Sequence, residues 1–188
     1  MKIAFTGTSS TGKTTLVKAL FDHEDFRRFD LKFLTVDARS ILDELGFKQM
    51  DLMPKDEVVL FQKLYFERKI KMEFDVEDII VDRSFVDVAS YWLVRDCENQ
   101  LDRAKNLVDE SYSYSMKYDL HFYFPYGIIP FVDDGYRSKN ERQRKTVGDQ
   151  IKCFLDDWNI KYVQLDTPCL DERVKIVIQE LLTLYNNG

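Results

Sequence analysis

Apolar positions follow two alternating rhythms along the chain. Short continuous runs, such as Ile3-Ala4-Phe5 and Ile79-Ile80-Val81, are separated by longer stretches with helical spacing. Leu16, Val17 and Leu20 make one such stretch, and Val58, Phe61, Leu64, Tyr65 and Met72 another. Short β-branched runs read as buried strands, and their alternation with helices predicts a parallel sheet covered on both faces. The pattern predicts strands over Lys2–Thr6, Lys32–Val36, Ile79–Val81, Leu120–Phe124 and Ile160–Leu165. It predicts helices over Lys13–Phe21, Arg39–Leu45, Pro54–Phe74 and Ser84–Cys97, with another ending near Met116. Two more are predicted over Arg137–Asp157 and Leu170–Tyr185, while His23–Asp30 reads as a charged loop.

The length of 188 residues suits one domain with a sizeable core, and 45% hydrophobic residues argue against disorder. A net charge of −6 argues against broad binding to nucleic acid or to anionic membrane. There is no signal-peptide pattern and no apolar run of about 18 residues that could span a bilayer, so a cytoplasmic protein is expected. Cys97, Cys153 and Cys169 lack C-x-x-C spacing, and with only His23 and His121 beside them no zinc pattern forms. Three free thiols in a reducing compartment are expected.

One motif carries specific chemistry. Gly7-Thr8-Ser9-Ser10-Thr11-Gly12-Lys13-Thr14 fills every fixed position of G-x-x-x-x-G-K-[ST], between a predicted strand and a predicted helix. Its glycines let backbone N–H groups turn inward around a phosphate chain, and the helix start beyond adds positive potential. Lys13 would reach the outer phosphates and Thr14 would ligate Mg²⁺, with Thr15 following in the same turn. A nucleoside triphosphate, ATP with Mg²⁺, is therefore the expected cofactor.

Two carboxylates end predicted strands. Asp82 closes Ile79-Ile80-Val81 and could hold the metal opposite Thr14, or could cap the next helix. Asp37 closes the second strand, where it could orient or deprotonate an acceptor hydroxyl, with Arg39 holding an anionic group. A helix N-cap with a surface arginine explains the same residues equally well. Tyr136–Lys145 concentrates Arg137, Lys139, Arg142, Arg144 and Lys145 around a single Glu141, a local +4 in a chain of net −6. If helical, the segment puts Arg137, Glu141 and Arg144 on one face. Such an arginine cluster suits a lid over phosphates; a solvated charged helix is the plain alternative.

Four pieces together resemble the NadR-like P-loop kinases, the group that includes the ribosylnicotinamide kinase domain. They are the phosphate loop, the Asp37-Ala38-Arg39-Ser40 turn, the Val81-Asp82 strand end and the run from Pro130 to Ser138. The last resembles that family's Pro-aromatic-Val-x-Asp-Gly-x-Arg run. The resemblance implies an α/β P-loop NTPase fold with a five-stranded parallel sheet in order 2-3-1-4-5 and a helical lid over about residues 133–150. It implies that Asp134 and Arg137 border the acceptor or the phosphates, with Arg142 and Arg144 in the lid. Asp82-Arg83-Ser84 looks more like the signature of deoxynucleoside and thymidylate kinases, whose arginine helps to position the acceptor. The Asp37 turn departs from the Ser-Arg-Glu type of ribosylnicotinamide kinases, so the acceptor stays open.

The expectation is a Mg-ATP-dependent phosphotransferase acting on a nucleoside, nucleotide or similar small metabolite. Lys13, Asp37, Arg83 and Arg137 are the expected catalytic groups. Asp37, Arg39, Arg83 and Asp134 face the acceptor; Thr14 and Asp82 hold the metal. Two alternatives stay open: a kinase acting on a modified base or end in DNA, and an ATPase switch. A guanine-specific N-K-x-D run is absent, and the chain is short for an AAA+ motor. A homodimer is neither required nor excluded.

Overall fold

The computed structural model describes residues 1–95 and 104–187. Strands β1 (Lys2–Thr6), β2 (Lys32–Thr35), β3 (Ile79–Asp82), β4 (Leu120–Tyr123) and β5 (Tyr162–Gln164) form one sheet in order β2-β3-β1-β4-β5. Every pairing is parallel. The helices are α1 (Lys13–Asp22), α2 (Glu24–Arg27), α3 (Ala38–Glu44), α4 (Lys55–Glu73), α5 (Phe85–Val94), α6 (Ala104–Ser115), α7 (Glu141–Asp157) and α8 (Leu170–Asn187). The expected sheet order holds, and the predicted strands and long helices appear within a few residues of their expected bounds. Cys97, the expected end of the α5 helix, lies outside the described residues.

Strand periodicity sorts the core into two layers. Ala4, Ile79 and Val81 pack toward α3, α4 and α5, with Ile41, Phe61, Tyr65 and Trp92. Ile3, Phe5 and Ile80 point the other way and pack with Leu16 and Leu20 of α1 and Val177 and Leu181 of α8. The central strands are apolar on both faces because helices cover both. The edge strands β2 and β5 are only partly buried.

Two expectations are corrected. The charged loop after α1 contains α2, whose N-terminus is capped by His23 Nδ1 accepting from the Asp25 N–H. Residues 137–140 are not helical: α7 starts at Glu141 behind Asn140, whose side chain accepts from the Gln143 N–H. Arg137 therefore does not share a helix face with Glu141 and Arg144. Asp134 has already folded that stretch into a turn by accepting the N–H groups of Tyr136 and Arg137.

One buried group gives the fold a pH dependence. His121 of β4 is fully buried, neither ring nitrogen has a hydrogen-bond partner, and the Tyr118 ring meets it edge-on at 5.1 Å. Burial, aided by the charge of Lys69, pushes its pKa down to about 3. The folded imidazole stays neutral while the unfolded chain takes up a proton below about pH 6.5. This contribution is complete above about pH 6.5 and is lost toward pH 3, at up to about 1.4 kcal/mol per pH unit. In His121→Leu, the stability difference between pH 7 and pH 5 should shrink by about 2 kcal/mol in urea unfolding. An unchanged difference would show that the imidazole is not its source.

Candidate active site

The parallel register brings the carboxyl ends of β1, β2 and β3 to one sheet edge, where doubly wound folds bind ligands. A cleft of about 790 Å³ opens there. Its wall includes Ser9–Thr15 at one end and Asp37, Arg39 and Gln62 at the other. Gly7 and Thr8 are buried and stay off the wall.

The phosphate loop is held from inside and from both flanks. Lys13 is buried, and its Nζ donates to Gly7 O and Thr8 O, both at 2.7 Å, and to Thr11 Oγ1 at 3.3 Å. Burial, and then the charge of Arg83, lower its pKa. Gly12 closes the loop in a left-handed conformation, φ 87°, and caps α1. Arg173 of α8 is almost fully buried and donates from Nη1 to Thr11 O at 2.9 Å and from Nε to Thr167 O at 2.6 Å. On the other flank Asp87 Oδ1 accepts the Gly7 N–H at 2.9 Å. The loop after β4 reaches over the top, where Val132 N–H donates to Ser10 Oγ at 2.8 Å.

The expected metal residues meet. Thr14 Oγ1 donates to Asp82 Oδ2 at 3.2 Å, while Asp82 Oδ1 is buried with no hydrogen-bond partner. An orphaned carboxylate oxygen beside a hydroxyl, at the mouth of a phosphate loop, fits a hard cation such as Mg²⁺. Among the described residues no group of three or more His, Cys, Asp or Glu could hold a metal. The remaining ligands would be phosphate oxygens and water, which is how Mg²⁺ is bound beside nucleotides.

Arg83 is held by several elements at once. Its backbone is left-handed, φ 70°, a costly state for a residue with a side chain. Its N–H donates to Phe5 O at 2.8 Å and its carbonyl accepts from Lys69 Nζ at 2.6 Å. Lys69, fully buried on α4, also pairs with Glu73, and Tyr118 Oη donates to Glu73 at 2.7 Å. The Arg83 guanidinium lies over the Tyr91 ring, 4.9 Å from its centre, and 3.8 Å from Asp87 Oδ1. Tyr91 in turn shares a hydrogen bond with Thr8 Oγ1 at 3.2 Å. Burial opposes ionisation of its phenol, but Arg83 and Arg95 outweigh that and bring its pKa down to about 8.

At the far end Asp37 caps α3, its Oδ1 accepting the N–H groups of Arg39 and Ser40. The capping alternative is thus realised, while the residue still borders the cleft. Arg39 lies across the Tyr136 ring and donates to Asp134 Oδ2 at 2.5 Å. Arg137 Nε lies 3.2 Å from the same oxygen, so one carboxylate joins α3 to the post-β4 loop. Burial raises the Asp134 pKa, but the Tyr136 N–H, Arg39 and Arg137 outweigh it and the net shift is downward. Gln49 and Asp51 tether the same loop, through Gly135 O and the Lys139 N–H.

Arg144 borders the cleft, with its guanidinium 3.8 Å from the centre of the Phe131 ring. Arg142 is exposed and not on the cleft wall, because it lies two positions away on α7, toward solvent. Sequence reasoning missed Gln62, Lys69, Asp87, Tyr91 and Arg173. Gln62 and Lys69 were detectable as polar residues within the apolar stripe of α4, whose buried positions include Phe61, Tyr65 and Phe66. Asp87 was visible only as the fourth residue of a Ser-x-x-Asp cap. Nothing local marks Arg173, which meets Thr11 across 162 positions.

A family model described as an AAA domain matches residues 2–173, nearly the whole chain. The chain belongs to this AAA domain family. Its fold is the P-loop fold of deoxyadenosine kinase and thymidylate kinase, and it is shared with NadR. Deoxyadenosine kinase from M. mycoides with bound dATP superposes with a TM-score of 0.66 at 17% identity, over 96% of this chain and 99% of that one. Thymidylate kinase from Candida albicans gives 0.67 at 15%, over 100% and 93%. NadR in complex with NR gives 0.65 at 20%, over 89% of this chain but 46% of NadR. A comparison with curated protein sequences gives no match. Among the described residues no helix is long and apolar enough to cross a membrane.

Proposed function

We propose that the chain is a kinase that moves the γ-phosphoryl group of Mg·ATP to a hydroxyl or phosphate of a nucleoside, nucleotide or similar small metabolite. The observation that carries this reading is the single cleft joining the phosphate loop to Asp37, Arg39 and Gln62. A site for hydrolysis alone needs only the loop end. The fold shared with nucleoside and nucleotide kinases supports the same reading.

The loop amides and Lys13 would hold the donor, with Lys13 Nζ turning from the carbonyls of Gly7 and Thr8 to phosphate oxygens. Thr14 and Asp82 would hold Mg²⁺, which supplies charge neutralisation at the transferring phosphates. Both cap bonds to Asp37 use Oδ1, which leaves Oδ2 to take the acceptor proton as the new O–P bond forms. Arg83 and Arg137, which both border the cleft, would stabilise charge on the transferring group.

The acceptor end favours a heteroaromatic ligand. Gln62 is buried, its Nε2 has no hydrogen-bond partner, and it borders the cleft near Phe61 and Tyr65. A base edge would satisfy that carboxamide between aromatic walls. ATP consumption measured against a panel of nucleosides and nucleotides, with mass spectrometry of the products, tests the proposal. Acceptor-stimulated turnover with a phosphorylated product supports it, and unstimulated hydrolysis alone sinks it. Gln62→Leu should then raise the acceptor KM about tenfold with the KM for ATP unchanged, since a buried hydrogen bond is lost at the base only. Equal changes in both would place Gln62 outside the acceptor pocket.

A further inference from the structure

Asp87 is almost fully buried in the first turn of α5, and it contacts both Gly7 of the phosphate loop and Arg83. Its Oδ2 accepts the Ser84 N–H at 2.8 Å and the Ser84 hydroxyl at 3.2 Å, completing the cap of α5. Capping requires nothing more. Its Oδ1 serves a different purpose: it accepts the Gly7 N–H at 2.9 Å and faces Arg83 Nη1 at 3.8 Å. That Arg83 nitrogen is buried and has no hydrogen-bond acceptor, and the Asp87 carboxyl and the Tyr91 ring both border the guanidinium.

The backbone of Arg83 is fixed separately, by Phe5 O and Lys69. Both contacts are made by backbone atoms of Arg83 and neither reaches its guanidinium. Asp87 is thus the one group among those described here that touches both the first residue of the phosphate loop and the Arg83 guanidinium. Transition-state stabilisation depends on charges already in place before charge develops, because a mobile guanidinium must reorganise during the step.

We infer that Asp87 is a positioning residue for phosphoryl transfer, holding Gly7 of the donor loop and the Arg83 guanidinium of the acceptor side at a fixed separation. The inference rests on the phosphotransfer reading above. Asp87 touches neither substrate nor the reacting atoms. It acts through Arg83 and Gly7.

The test compares Asp87→Asn, Arg83→Met, the double variant and Ser84→Ala. Asp87→Asn keeps the volume but removes the charge facing Arg83 and sets an NH₂ group against two of the four donors, whichever oxygen it replaces. Its kcat should fall about 10–100-fold, the cost of a misplaced group at a reacting centre. Its affinity for Mg·AMP-PNP in calorimetry should stay within about threefold of the parent. In the Arg83→Met background the same substitution should change kcat less than about threefold, because coupled residues are not additive. Ser84→Ala weakens the cap but leaves Oδ1 undisturbed, so it should lower the melting temperature by about 2–4 °C and keep kcat.

Additive losses in the double variant, or a kcat loss in Ser84→Ala equal to that in Asp87→Asn, would reduce Asp87 to a helix cap and overturn the inference. If Asp87→Asn does not fold, Asp87→Glu takes its place: it retains the charge, and partial recovery of kcat relative to Arg83→Met is expected. No recovery there overturns the inference as well. Absence of acceptor-stimulated turnover in the parent chain would instead remove the phosphotransfer reading, and this inference with it. Turnover in the parent with unchanged kcat in Asp87→Asn removes the inference alone.

Discussion

Replacing Lys13 with methionine should lower acceptor-stimulated turnover by about 10²–10³-fold without unfolding the protein. The side chains are similar in volume, so the loop interior stays filled, but the ammonium is gone. In the protein as it stands, that ammonium is satisfied by two carbonyls and the Thr11 hydroxyl, and burial lowers its pKa. A buried cation of this kind carries a large desolvation cost, which methionine removes, while the carbonyls of Gly7 and Thr8 lose a donor. The two changes oppose each other, so thermal stability should move by no more than about 4 °C. Phosphate oxygens would lose the charge-assisted donor that Lys13 offers from inside the loop. The measurement is product formation at saturating ATP beside a melting curve. Turnover within threefold of the parent would remove Lys13 from the donor site.

The second large effect concerns stability. Gly7→Ala should destabilise the fold by about 3 kcal/mol and lower the melting temperature by about 6–12 °C. A Cβ at Gly7 would lie 2.6 Å from Phe124 O and 2.9 Å from Phe124 Cβ. Phe124 follows β4 directly, is fully buried, and packs on the Phe5 ring with centroids 5.1 Å apart. Its backbone is further tied to β1, because Phe124 N–H donates to Thr6 O at 2.8 Å. Neither side can give way without shifting a central strand. The clash would also displace the backbone of the phosphate loop at its first residue, so weaker binding of Mg·AMP-PNP should accompany the lower melting temperature. A melting temperature within about 2 °C of the parent would show that the contact relaxes freely.

How much of this was legible in the sequence varies by residue. Lys13 and Thr14 were assigned by motif, since the phosphate loop is local: eight consecutive residues carry its geometry. Asp82 was assigned by its place at the end of an apolar run, and it does meet Thr14. Asp37 was ambiguous between cap and acceptor base because both uses need the same residue at the same strand end. The α7 start was misplaced because charge density alone does not reveal that Asp134 folds Tyr136 and Arg137 into a turn, which leaves the helix to begin at Glu141.

The sequence by itself determined the alternation of strands and helices, the two-sided burial of the central strands and the phosphate loop. Each depends on periodicity or on contiguous residues, where local sterics and apolar burial act without reference to distant chain. Only the tertiary structure decided what surrounds that loop. Asp87 meets Gly7 across 80 positions, Arg173 meets Thr11 across 162, and Lys69 meets Arg83 from a different helix. Such contacts come from the crossing of parallel strands and helices, which brings polar groups together inside a low-dielectric core. There a polar group gains most from a partner, and those found by Gly7, Thr11 and Arg83 hold the cleft in shape.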